Sequence, residues 1–244
     1  MDLYKTWLVE KLVAHRGLHN ETIPENSLAA FQNAVDNGYN IELDVQLIAD
    51  GTVVVFHDAT LNRMTGKDAN LKSLNKTDLK KMTLKNSKET IPTFEEVLNL
   101  VAGKTPIIIE IKNQNRVGEL EQKVIELLQN YQGEYAIASF NPRVLAYFKK
   151  HAPKILRGQL SGSFSWTKMN FIKKWLLKSM WFAKKSNLAN FIMYEAGALP
   201  SPYIHKLGKM PVLTWTVRSQ QEYQRVMQYA DNIIFEGFVP KVKP

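Results

Sequence analysis

Residues Ile41–Asp58 read IELDVQLIADGTVVVFHD. Two alternating apolar runs flank Asp50-Gly51, the dipeptide that signals a two-residue β-hairpin most strongly. With Asp50 and Gly51 as the turn, Asp44 faces His57 across the ladder. Strand side chains alternate, so Glu42 shares a face with Asp44 and lies diagonally from His57. Two carboxylates and an imidazole thus gather at the foot of one hairpin. On this stretch alone, charges at i and i+2 read most plainly as a solvated strand face. The remainder of the chain weighs against that.

Outside the hairpin, strand-like and helix-like segments alternate. Apolar runs begin at Leu12, Ile41, Ile107, Tyr135, Ile155, Phe191, Val212 and Ile233. Helical patterns cover 24–37, 93–101, 117–130, 142–150 and 220–229, with weaker ones near 76–82 and 202–207. Gly38 caps the first, and Thr93 with Glu96 has the spacing of a capping box. The return arm of the hairpin, Thr52–Phe56, is not counted among the runs. A parallel neighbour needs a crossover of about a dozen residues, so this arm folds back antiparallel. Eight βα units remain, which predicts an α/β protein with a (β/α)8 TIM barrel. Residues 58–92 are polar and Lys-rich, and read as a small insertion after the second-strand hairpin. The whole of 1–244 reads as one barrel domain.

Composition narrows the function. The 244 residues include no cysteine, which excludes disulfides and thiol chemistry. The first residues, MDLYKTWLVEKLVAHRG, lack an apolar signal-peptide segment, and no run is long enough to span a bilayer. A soluble cytoplasmic protein is the expectation. Net charge is +9, and between Glu134 and Glu195 eleven Lys and Arg occur without one acidic residue. That asymmetry suggests an anionic partner. No nucleic-acid-binding motif accompanies it, so nucleic acid is not expected.

Barrel enzymes keep their chemistry at the C-terminal ends of the strands. Here the first strand ends in His15-Arg16-Gly17, the second carries Glu42 and Asp44, and the third ends in Glu110-Ile111-Lys112. The fourth ends in Ser139-Phe140 and the seventh in Trp215-Thr216-Val217-Arg218. HRG, PENS, ELDV, DG, VFHD, EIK, SF and WTV occur in that order. From Val13 to Phe238 the chain resembles the glycerophosphodiester phosphodiesterase family, one of the barrels related to phosphatidylinositol-specific phospholipase C. The insertion after the second histidine matches the family as well. Two departures stand out: the family usually has Asn where this chain has Arg218, and an Ile-Thr-Asp-like strand where it has Ile234-Phe235-Glu236. Neither touches the histidine or carboxylate positions.

Glu42, Asp44 and Glu110 are hard oxygen donors suited to one divalent cation, Mg²⁺ or Ca²⁺, and poorly suited to Zn²⁺. The resemblance implies the same ligand set. Taken alone, Glu110 would instead pair with Lys112. His15 and His57 are the candidate general acid and base, since imidazole titrates near working pH, and the family places its catalytic pair at these positions. Arg16 and Lys112 suit phosphate oxygens, and Trp215 could floor a glycerol pocket. By resemblance, Glu25 and Asn26 orient the residues that bind metal and substrate; capping of the following helix is the plainer alternative. His19 is an auxiliary candidate beside the first strand, whereas His151 and His205 read as ordinary helix residues.

The segment Trp166–Lys185 carries more apolar surface than one barrel helix needs. Met169, Ile172, Leu176 and Met180 form a core stripe on a helical wheel, while Trp175, Leu177, Trp181 and Phe182 fall outside it. Contact with an anionic membrane surface, an oligomer contact, or a lid on its own barrel would each use it. The implied function is metal-dependent hydrolysis of glycerophosphodiesters to sn-glycerol 3-phosphate and an alcohol. Lysophospholipase D-type cleavage at a membrane surface, or a non-catalytic lipid- or phosphate-binding barrel, are the alternatives.

Overall fold

A computed structural model describes residues 2–85, 87–112, 116–165, 168–181, 186–204 and 210–241. The strands are β1 (Val13–Ala14), β2 (Asn40–Leu47), β3 (Val53–Val55), β4 (Ile107–Ile111), β5 (Tyr135–Ser139), β6 (Leu156–Ser161), β7 (Phe191–Glu195), β8 (Val212–Val217) and β9 (Asn232–Phe235). Their order is β1-β9-β8-β7-β6-β5-β4-β2-β3, with β1 also paired to β2. Leaving β3 aside, eight strands form the closed parallel sheet of a (β/α)8 barrel. Every expected strand start is met within one residue. As expected, β3 is antiparallel and joins β2 alone.

The helices are α1 (Trp7–Glu10), α2 (Leu28–Asp36), α3 (Asn62–Thr65), α4 (Phe94–Val101), α5 (Glu119–Leu128), α6 (Pro142–His151), α7 (Phe171–Lys178) and α8 (Gln220–Val226). The chain divides into two compact units, Ala14–Tyr135 and a second made of Met1–Val13 with Ala136–Pro244.

In the first unit, β2 and β4 run parallel and are buried on both faces, as strands covered by helices must be. Thr93 and Glu96 form the expected capping box at the start of α4, the Glu96 carboxylate accepting from the Thr93 amide at 2.8 Å. The stretch near 76–82 is a 3-10 helix over Lys76–Lys81, part of an insertion with its own apolar core.

Two expectations in this unit need correction. The hairpin pairs Val45 with Val55 and Leu47 with Val53, one residue away from the register of a two-residue turn. The connection is a three-residue loop closed by Ile48 and Thr52, with Gly51 left-handed at φ +78°. Asp-Gly serves here as the end of a type I turn plus bulge, not as the whole turn. Asp44 therefore faces Phe56, whose amide donates to the Asp44 carbonyl at 2.9 Å, and His57 lies just beyond the strand. The second correction concerns PENS. The helix starts at Leu28, with the Ser27 hydroxyl accepting from the Ala30 amide. Asn26 is left-handed (φ +54°) and its amide donates to the Arg16 carbonyl, so residues 24–27 are a loop pinned to the end of β1.

In the second unit, β6, β7, β8 and β9 pair in parallel sequence. The Asn232 side-chain amide ties the start of β9 to the N-terminal segment by donating to the carbonyls of Leu8 and Lys11. Of the expected stripe, Met180 is buried and Met169 and Leu176 are half-buried, whereas Ile172 is 64% exposed; Trp175 and Trp181, placed outside the stripe, are exposed. Trp166, Phe182 and Lys185 of this segment, and His205, lie outside the described residues.

Candidate active site

The carboxylates converge because of the parallel sheet rather than the hairpin. Asp44 on β2 is in register with Glu110 on β4, and Glu42 lies two residues before Asp44 on the same face. Glu42 is 2%, Asp44 1% and Glu110 8% exposed, so the solvated-face reading fails. One oxygen from each of the three lies within 4.8 Å of the others.

The turn after β1 wraps around this cluster. Gly17 is left-handed (φ +80°), and a Cβ there would meet Ala30 at 2.9 Å, so only glycine fits. Arg16 also takes a left-handed conformation (φ +56°), which directs both its amide and its side chain inward. The Arg16 amide donates to Glu42 Oε2 at 3.1 Å. Its guanidinium stands 3.3 Å from Asp44 Oδ2 through Nε, and Nη1 donates to Glu25 Oε1 at 2.6 Å. His15 Nε2 lies 3.9 Å from Glu42 Oε2. The Asn26 carboxamide donates to Asp44 Oδ2 at 2.9 Å, and Lys112 Nζ lies 3.1 Å from Glu110 and 3.3 Å from Asp44. The Glu110–Lys112 pair read from the sequence thus exists inside the carboxylate cluster.

His57 is held from two sides. Gln46, the next inward residue after Asp44, braces the backbone there: its Nε2 lies 2.8 to 3.1 Å from the carbonyls of Phe56, His57 and Asp58. Asp58 Oδ1 is 2.6 Å from His57 Nδ1, and Arg63 of α3 grips both Asp58 and Glu25. Sequence reasoning passed over Gln46, Asp58 and Arg63. The period-2 run Glu42, Asp44, Gln46 was a usable signal for Gln46, and adjacency to His57 for Asp58. Nothing local marked Arg63.

Electrostatics divide the carboxylates. Burial, then the neighbouring Asp44 and Glu110, pushes the Glu42 carboxyl well above the usual range. Burial also opposes ionisation of Asp44, but Lys112, Arg16 and His57 outweigh it and hold its carboxyl well below that range. Burial raises Glu110 against the pull of Lys112. A proton or a cation must share such a cluster, and its all-oxygen donor set fits a hard divalent cation. Burial lowers His57 below the ordinary imidazole value; Asp44 opposes the shift, and Lys112 and Arg16 reinforce it.

Trp215 belongs to the second unit. There Phe140 packs edge-on against the rings of Trp215 (5.5 Å) and Phe164 (5.9 Å). The two departures from the family pattern are partners, Arg218 Nε donating to Glu236 Oε1 at 2.7 Å. His151 stacks on Tyr147 at 4.3 Å, in keeping with an ordinary helix-end role.

Residues 15–237 match the Glycerophosphoryl diester phosphodiesterase family. The chain belongs to that family. It is 38% identical over 160 residues to a glycerophosphodiester phosphodiesterase of Caldanaerobacter subterraneus subsp. tengcongensis, covering 61% of this chain and 65% of that one. Over 144 residues it is 36% identical to a lysophospholipase D of Rattus norvegicus, 54% of this chain and 45% of that one. The chain thus spans somewhat under two thirds and under half of these relatives' lengths. Among solved structures, a phosphodiesterase of Oleispira antarctica in complex with the product sn-glycerol-3-phosphate superposes with a TM-score of 0.78 at 22% identity, covering 94% of this chain and 93% of that one.

Proposed function

We propose that this glycerophosphodiester phosphodiesterase family member hydrolyses glycerophosphodiesters to sn-glycerol 3-phosphate and an alcohol. The observation that carries the reading is the gathering of Glu42, Asp44, Glu110, His15, His57, Arg16 and Lys112 at the ends of β1, β2 and β4. Glu42, Asp44 and Glu110 would hold one divalent cation, Mg²⁺ or Ca²⁺. When bound, it supplies positive charge that neutralises the phosphodiester and the developing oxyanion.

The protein's own side chains account for the proton transfers. Burial holds the His57 imidazole below its ordinary value and so favours its neutral form, which can accept a proton from the attacking water. With Asp58 accepting from Nδ1–H, Nε2 is the free basic nitrogen. His15 then donates a proton to the departing alkoxide, so protons and charge balance across hydrolysis. Arg16 and Lys112 neutralise phosphate oxygens, and Asn26 and Glu25 orient Asp44 and Arg16. A direct test is to follow glycerophosphocholine hydrolysis with Mg²⁺, with Ca²⁺ and after exhaustive chelation. Turnover undiminished by chelation would overturn the cation's part.

A second reading concerns where the substrate is met. On α7, Phe171, Ile172 and Trp175 lie on one exposed face, next to Lys174 and Lys178 and within the acid-free stretch. This combination suits an anionic bilayer surface and favours lysophospholipids as additional substrates of a peripheral cytoplasmic enzyme. Among the described residues no helix is long and apolar enough to cross a membrane. Sedimentation with phosphatidylglycerol vesicles at low salt tests it: binding by the parent and not by Phe171→Ser/Trp175→Ser is expected, and no binding by the parent removes this reading.

A further inference from the structure

After His57 the chain leaves the hairpin and builds a small core in which Leu61, Met64, Leu71 and Leu79 pack with Val54 and Phe56. This core fixes the short helix α3, closed by left-handed Gly66, and Arg63 is the residue α3 sends back toward the strand ends. Each of its three guanidinium nitrogens donates. Nε donates to Asp58 Oδ2 at 2.6 Å, and Nη1 and Nη2 donate to the two Glu25 oxygens at 2.7 Å each.

Each of those carboxylates has a second task. Asp58 Oδ1 meets His57 Nδ1, and Glu25 Oε1 receives Arg16 Nη1, each at 2.6 Å. Without a cation between them, two carboxylates sharing this space would repel each other and release their partners. The arrangement contributes stability through the largely buried Glu25, but Arg63 itself is 44% exposed in its side chain, where solvent screens what an ion pair adds to folding.

We infer that Arg63 is a positioning residue for the reaction proposed above: one guanidinium from the insertion fixes both the tautomer of His57 and the pose of Arg16. The inference rests on that functional reading, because the roles of His57 and Arg16 do. A planar five-donor fork is required, and lysine, a single point charge, serves one carboxylate at a time.

The test uses the full-length protein and the variants Arg63→Ala and Arg63→Lys. Four quantities are read: kcat and KM for glycerophosphocholine with a divalent cation, the melting temperature, and the ¹⁵N resonances of the His57 ring. In the parent, the His57 ring is expected as one tautomer protonated at Nδ1. In Arg63→Ala it becomes a mixture, kcat falls roughly 10- to 100-fold, KM rises, and the melting temperature moves by only a few degrees. Arg63→Lys recovers part of kcat. If Arg63→Ala does not fold, Arg63→Lys carries the same readouts. Ring resonances identical to the parent overturn the inference, as does a changed ring with kcat within about twofold of the parent. A parent without phosphodiesterase activity would instead refute the functional reading, and the ring resonances would still decide whether Arg63 governs His57.

Discussion

Asp44 and Glu110 stand opposite each other on neighbouring parallel strands, and Lys112 Nζ bridges their carboxylates at 3.3 and 3.1 Å. With Glu42 added on the same face, three buried acids share two nearby cations, Arg16 and Lys112. Glu42 and Glu110 are both pushed toward their protonated forms, Glu42 the further. Glu42→Gln removes that repulsion while keeping an acceptor for the Arg16 amide. In chelator it should raise the melting temperature by roughly 2–8 °C, the size expected for about 1–2 kcal/mol in a chain of this length. The same variant should lose cation binding in a calorimetric titration. A lower melting temperature in chelator would count against the electrostatic account.

Asp44→Asn should act in the opposite direction. It strips Lys112 and Arg16 of the carboxylate they jointly stabilise, and breaking a buried pair costs about 3–5 kcal/mol. Denaturant unfolding in chelator checks this. For the parent, a cation at 100-fold its Kd should add about 2.7 kcal/mol of stability, and Asp44→Asn should show no such gain.

Glu25 gives an acid limit to stability. Burial raises its carboxyl, but Arg63 and Arg16 outweigh that and hold it at about 2, against an ordinary value of 4.5. A depressed folded pKa contributes stability above the unfolded value, and that stability is lost as pH falls through the folded value. The window is therefore about pH 4.5 down to 2, and the loss about 3 kcal/mol at 1.4 kcal/mol per unit. Urea midpoints of the parent should fall across that window, and those of Glu25→Gln should fall by correspondingly less.

Gly17→Ala should cost about 3 kcal/mol, combining a left-handed backbone with a Cβ pressed against Ala30. Because Gly17 follows His15 and Arg16 directly, the variant should also lose activity in proportion larger than its loss of folded protein. Measuring turnover per folded molecule separates the two effects.

The barrel was legible because each stave is a short apolar run with its ionisable residues at one end, and the parallel crossover rule removed Thr52–Phe56 from the count. The convergence of Glu42, Asp44 and Glu110 was legible for the same reason. What failed was fine geometry. Asp50-Gly51 allows two turn types that differ by one residue of register, and only packing against the insertion selects between them. Asn26 was read as a helix start because nothing in PENS announces a left-handed residue. Arg63 was invisible because its partners, Asp58 and Glu25, lie 5 and 38 residues away, and only the folded insertion brings all three together. Around α7 the expected stripe holds at Met169, Leu176 and Met180 and fails at Ile172, since a helix apolar on most sides does not mark the edge of its covered face.

The most direct measurement compares release of glycerol 3-phosphate from glycerophosphocholine by the parent, His15→Ala and His57→Ala in the presence of a divalent cation. Removing a general acid or base should lower kcat roughly 10²- to 10⁴-fold in each variant, with melting temperatures close to the parent. Phosphodiester hydrolysis that survives both substitutions at the parent's rate would contradict the account.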